Sequence, residues 1–150
     1  MNAKDYLLQI QKLDKLIENK LQEVAHWKEV ATGTTVCSEG DRVQSSGSKQ
    51  KMADAICRYM QMEDEINAAI DRLVDTKQEI IETIEMLSID EYDLLHKIYV
   101  QKKELYEAAM EMDRSYRWAT SIHGRALANV QKILNEREQN ERNKHGTLQG

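Results

Sequence analysis

Met112-Asp113-Arg114-Ser115-Tyr116-Arg117-Trp118-Ala119-Thr120-Ser121-Ile122-His123-Gly124-Arg125-Ala126-Leu127 is the stretch on which the fold turns. Asp113-Arg114 reads as a turn, because Asp tolerates the left-handed conformation that Gly would otherwise supply. Ser115 is a helix cap. Beyond it Ala119, Ile122, Ala126, Val130 and Ile133 recur at helical spacing and mark an inward stripe. Upstream, residues 103–112 read as a short helix with Leu105, Ala108, Ala109 and Met112 inward. Before that lies a break near Gln101-Lys102, preceded by a helix over residues 90–100 that buries Leu94, Leu95, Ile98 and Tyr99. Ser88-Ile89-Asp90-Glu91 has the Ser-x-x-Glu form of a capping box and opens that helix. A short helix, a turn and a Ser-capped longer helix, in that order, are the parts of a helix-turn-helix.

The face opposite the apolar stripe carries Tyr116, Arg117, Thr120, Ser121, Gly124 and Arg125. Arg on the first turns of such a helix can bind guanine through two hydrogen bonds or hold a phosphate. Thr120 and Ser121 can reach a phosphate or a base edge. Tyr116 and Trp118 are amphipathic and suit the sugar-phosphate backbone, although packing within the domain is an equal expectation for Trp118. The competing expectation for the arginines is a solvated face paired with Glu104, Glu107 or Glu111.

Outward from this segment the pattern lengthens. Between residues 5 and 31, Tyr6, Ile10, Leu13, Ile17, Val24, Trp27 and Ala31 step alternately by four and three, with Lys20 in the missing place. That is a heptad seam. Leu7, Leu16 and Leu21 widen it. Residues 32–48 are loop chemistry, rich in Gly, Ser and Thr. From residue 48 to 87 a second seam runs through Met52, Ile56, Tyr59, Glu63, Ile66, Ile70, Leu73, Lys77, Ile80, Ile84 and Leu87. Glu63 and Lys77 interrupt it, either fixing register or reaching to water. The expectation is a long antiparallel, coiled-coil-like hairpin, closed within the chain or across a dimer.

The fold class expected is therefore all-α. Residues 1–87 form the helical interaction region with its loop at 32–48, residues 88–136 the helix-turn-helix, and residues 137–150 a flexible polar tail. Composition agrees. Among 150 residues 31% are charged and 5% aromatic, with no Pro and no Phe. Such a chain favours long helices over a sheet sandwich. Few aromatics and a mean hydropathy of -0.69 imply a thin core that self-association would complete. The net charge is -5, yet residues 113–150 hold seven basic against four acidic residues, a local excess of +3. An acidic body with a weakly basic end implies weak non-specific affinity for nucleic acid.

Signals for catalysis are missing. His26, His96, His123 and His145 are scattered, and none pairs with Cys or a carboxylate at metal-site spacing. Cys37 and Cys57 form no metal motif and fit a reducing compartment. No enzyme activity, cofactor or metal is expected. The N-terminal residues lack a signal peptide's apolar core, and no apolar run is long enough to span a membrane. The expected location is the cytoplasm.

The run from Ala109 to Leu127 resembles the helix-turn-helix of sigma factor region four. More closely, it resembles the small ArpU-like transcriptional regulators of phages and mobile elements in Gram-positive bacteria. The likeness extends over residues up to about 135. It takes in a loop with Arg42-Val43-Gln44-Ser45-Ser46, an Ile-rich helix ending Ile84-Glu85-Met86-Leu87, and Leu94-Leu95-His96-Lys97-Ile98-Tyr99-Val100 leading into the motif. Two positions depart from the pattern: Asp113 replaces the usual turn Gly, and Trp118 stands where a small or charged residue is common. The resemblance implies a regulator of phage late or mobile-element genes, acting on double-stranded DNA in a bacterial host and through host RNA polymerase. It places the recognition positions at Ser115, Tyr116, Arg117, Trp118, Thr120, Ser121 and Arg125. A homodimer through the heptad helices would read two half-sites about one turn apart. The alternative is a coiled-coil adaptor that binds RNA polymerase or a phage packaging component.

Overall fold

The computed structural model describes residues 1–33 and 46–147. Among them the protein is all-helical, with no strand. The elements are α1 (Ala3–Thr32), α2 (Ser46–Ile84), α3 (Ile89–Leu95), a π-helical turn (His96–Val100), α4 (Leu105–Glu111) and α5 (Tyr116–Thr147). The segment Arg42-Val43-Gln44-Ser45 and Cys37 lie outside the described residues. No helix among the described residues is long and apolar enough to cross a membrane. The chain divides into two compact units, one of Leu13–Val74 and one of Met1–Lys12 with Asp75–Gly150.

In the Leu13–Val74 unit, α1 and α2 lie side by side. Val24, Met62 and Ile66 form a buried cluster with Trp27 packed on it. Lys20 pairs with Glu65 at 3.0 Å and Lys28 with Glu63 at 2.9 Å. The two helices therefore touch through one apolar cluster and these two ion pairs. The α1 seam follows its heptads. Tyr6, Ile10, Ile17, Val24 and Ala31 are buried, while Leu13, Lys20 and Trp27 are half-buried.

The seam of α2 differs from the expected one by one residue at alternate positions. Ala55, Met62 and Ala69 are buried, together with the shared Ile66 and Ile80, while Ile56 and Ile70 are each 39% exposed. Thr76 is half-buried and Lys77 exposed. At residues 55 and 69 the physical reason is size. Reading by hydrophobicity selects the larger Ile56 and Ile70, but packing selects the neighbouring alanines, which admit a facing helix more closely. Glu63 consequently sits at the edge, paired to Lys28, and does not interrupt a core.

In the other unit, the start of α1 and the end of α2 share a polar contact. The Tyr6 hydroxyl and Thr83 Oγ1 are 3.0 Å apart. The Thr83 hydroxyl donates to the Glu79 carbonyl at 2.9 Å and Arg137 donates to the Tyr6 oxygen at 3.4 Å, which leaves Tyr6 as the donor to Thr83. The Ala3 N–H donates to Gln131 Oε1 at 2.7 Å, tying the first turn of α1 to α5. α5 also packs on α3 and α4. Leu94, Ala108, Ala109, Ala119 and Ile122 make one buried cluster, with Ile98, Leu105, Met112 and Trp118 against it. α5 continues as helix through the polar residues after Glu136 to Thr147, a stretch rich in the helix formers Glu, Arg and Gln.

Two turns set the directions of these short helices. The helix expected over residues 90–100 changes character after Leu95. The Gln101 N–H bonds the His96 carbonyl at 2.9 Å, and the chain leaves through Lys102 at φ 62. After α4, Asp113 stands at φ 53. Its N–H bonds the Met110 carbonyl at 3.1 Å and the Arg114 N–H bonds the Ala109 carbonyl at 2.9 Å. This is a Schellman cap with Asp in the place Gly usually holds. Asp113→Val should cost about 1–2 kcal/mol, because a β-branched residue is strained at positive φ. A thermal melt beside Asp113→Gly, which should melt no lower than wild type, checks it.

Candidate nucleic-acid interface

The turn at Asp113 presents α5. Ser115 caps it, its hydroxyl oxygen accepting from the Trp118 N–H at 3.1 Å. The cap satisfies one of the otherwise unpaired amides of the first turn. Tyr116, Arg117, Thr120, Ser121, Gly124 and Arg125 then fall on one exposed face, while Ala119, Ile122, Ala126 and Val130 are buried on the other. The Thr120 hydroxyl donates back to the Tyr116 carbonyl at 2.9 Å, which leaves its oxygen able to accept from an incoming donor. A Cβ built on Gly124 would meet nothing within 4 Å. The chain's own packing therefore does not require glycine there, and the face is flat between Ser121 and Arg125.

Trp118 lies apart from this group. It is half-buried against the Leu94 cluster, and the Arg114 guanidinium sits over its ring at 4.9 Å. Its indole supports α5 from below more than it offers a surface. Arg114 belongs to the expected turn and stands outside the expected recognition positions. Its position one residue before the Ser cap, four before the Trp, was the available signal for this cation–π contact.

Arg117 and Arg125 have no hydrogen-bond or salt-bridge partner among the described residues. The carboxylates that would compete for them are engaged elsewhere. Glu111 lies 2.6 Å from Lys103 and 4.0 Å from Lys97, and Glu107 accepts from the Tyr106 hydroxyl at 3.3 Å. Arg117 and Arg125 are eight residues apart, about 12 Å of rise along the helix backbone, a span comparable to the width of the DNA major groove.

Behind the face, two polar contacts hold α5 in orientation. Asn129 Nδ2 donates to both oxygens of the buried Glu91 at 3.0 and 3.1 Å. Glu91 therefore leaves half of its expected capping box unmade. The Ser88 hydroxyl still accepts from the Glu91 N–H at 3.4 Å, but the carboxylate turns to α5. Tyr99 and His123 are hydrogen-bonded at 2.9 Å and their rings stack with centroids 5.9 Å apart. Burial, and after it the charge of Lys4, lowers the His123 pKa, while burial together with Lys97 lowers that of His96. Unfolded chains take up these protons near pH 6.5, the ordinary histidine value, and the folded protein takes them up only at lower pH. Stability is therefore held above that pH and is lost as pH falls below it. The melting temperature should drop from pH 7 to pH 5, and His123→Gln should make that drop shallower; an unchanged slope would remove His123 from the account.

No group of three or more His, Cys, Asp or Glu among the described residues is arranged to hold a metal. No protein-family model, curated protein or solved structure matches the chain.

Proposed function

We propose that the chain is a DNA-binding transcriptional regulator that lays the exposed face of α5 in the major groove. α4 and its turn play the part of the first helix of a helix-turn-helix. The observation that carries this reading is the pair Arg117 and Arg125, exposed, without partners among the described residues, and on one face with Thr120, Ser121 and a flat Gly124. Leaving two arginines without carboxylate partners in a chain of net charge -5 fits a face kept for an external anion. Ser115 serves as the cap that orders the first turn, Tyr116 flanks the backbone, and Trp118 positions the helix from its inner side.

The resemblance to ArpU-like regulators and to sigma factor region four extends the proposal to phage late or mobile-element genes. Host RNA polymerase would be a further partner and the bacterial cytoplasm the setting. The net acidity of the chain favours a second reading, an adaptor that reaches DNA only through a partner such as RNA polymerase or a packaging component. Fluorescence anisotropy with labelled duplex over a series of salt concentrations separates the two. A direct reader should bind with an affinity that falls steeply with salt, by a slope of about 0.9 per phosphate contact. An adaptor should show no saturable binding without its partner.

A further inference from the structure

α2 carries a second heptad stripe, separate from the one that packs on α1. Ile56, Met60, Glu63, Asn67, Ile70 and Val74 step by four and three around the helix. Ile56 and Ile70 are 39% exposed, Met60 56% and Val74 60%. The stripe extends about 27 Å along the helix. Leu21, 51% exposed, precedes Lys28 by one heptad. It therefore shares the α1 flank that meets Glu63 through the Lys28 pair, and it widens the stripe on that side.

The order of residue types is a palindrome: two apolar, two polar, two apolar, centred on Glu65. A stripe of that kind is complementary to itself when reversed. An isologous contact requires that residue i meets j while j meets i, and this stripe meets the requirement. Reversing one copy against another sets Ile56 opposite Val74, Met60 opposite Ile70 and Glu63 opposite Asn67, each twice. The Asn67 amide can then donate to the Glu63 carboxylate, whose charge Lys28 already offsets. Polar pairs at the centre of an apolar seam select register and orientation.

We propose that this face of α2 is the dimer surface and that its occupant is α2 of a second copy, antiparallel about a two-fold axis that crosses the stripe between Glu63 and Asn67. The inference goes beyond the proposed function, and it is tested without DNA, so its failure leaves direct DNA reading to be judged by itself.

The test is sedimentation of the full chain as wild type, Met60→Lys, Ile70→Glu and the double variant Met60→Lys/Ile70→Glu, with circular dichroism to confirm that helicity is kept at these exposed sites. Wild type should be dimeric at about 100 µM. Each single variant should weaken the dimer by about 100-fold, because a lone charge would face an apolar residue at both ends. The double variant should recover the dimer, since each Lys then faces a Glu of the partner. Residues 60 and 70 are about 15 Å apart along one helix, so recovery cannot arise within a chain. A monomeric wild type, single variants that remain dimeric, or a double variant as weak as the singles would each overturn the proposal. The first two would assign the stripe to another partner, and the last would reject the antiparallel register.

Discussion

Leu94→Ala is expected to destabilise the unit that contains α5 by about 2–5 kcal/mol. Leu94 has no exposed surface and lies among Ala108, Ala109, Ala119 and Ile122. The alanine neighbours have no side-chain reach with which to fill the space left behind. Ile98, Leu105 and Met112 lie on the margin of the cluster, so their inward collapse would pull on the two tight turns at Lys102 and Asp113. Stability of small domains is about 5–15 kcal/mol in total, so this one change removes a large share of it. Urea unfolding followed by circular dichroism measures the loss. Trp118, packed on the same cluster, should report it by fluorescence in the same transition. A loss below about 1 kcal/mol would mean that the cluster does not hold α3, α4 and α5 together.

The second large effect is on DNA. Arg117→Ala and Arg125→Ala are each expected to weaken specific binding by about 10–100-fold, the range for losing a well-formed base or phosphate contact. The double variant should leave no binding distinguishable from background. Neither side chain has a partner among the described residues, so their removal should change the melting temperature little. The two changes differ in what they reveal. Loss of a base contact relaxes preference at one position of the site, while loss of a phosphate contact weakens all sequences alike and reduces the salt slope by about 1. Full affinity in both variants, with folding intact, would defeat the assignment of this face.

Elements set by local chemistry were legible in the sequence. The α1 seam, the Ser115 cap, the left-handed Asp113 and the inward stripe Ala119, Ile122, Ala126 and Val130 follow from spacing and turn chemistry, which depend on a few neighbouring residues. Features decided by a distant partner were not. The α2 seam turned on whether Ala55 or Ile56 faces α1, a matter of how closely another helix approaches. Glu91 leaves its capping box for Asn129, 38 residues away. The π-helical turn at His96–Val100 carries no helix-breaking residue that would announce it. Around the candidate interface, the exposure of Tyr116, Arg117, Thr120, Ser121 and Arg125 could be inferred from helical spacing alone. Which of its two expected placements Trp118 takes was left open by spacing, and its packing on the Leu94 cluster depends on how α4 and α5 meet.

That the exposed face of α5 reads DNA sequence is tested most directly by selecting bound duplexes from a random pool at moderate salt, with wild type and Arg117→Ala side by side. Wild type should enrich a defined motif, repeated as a palindrome if two copies bind together, and Arg117→Ala should lose it. A pool that emerges from wild type without enrichment, or one that Arg117→Ala enriches equally well, would contradict it.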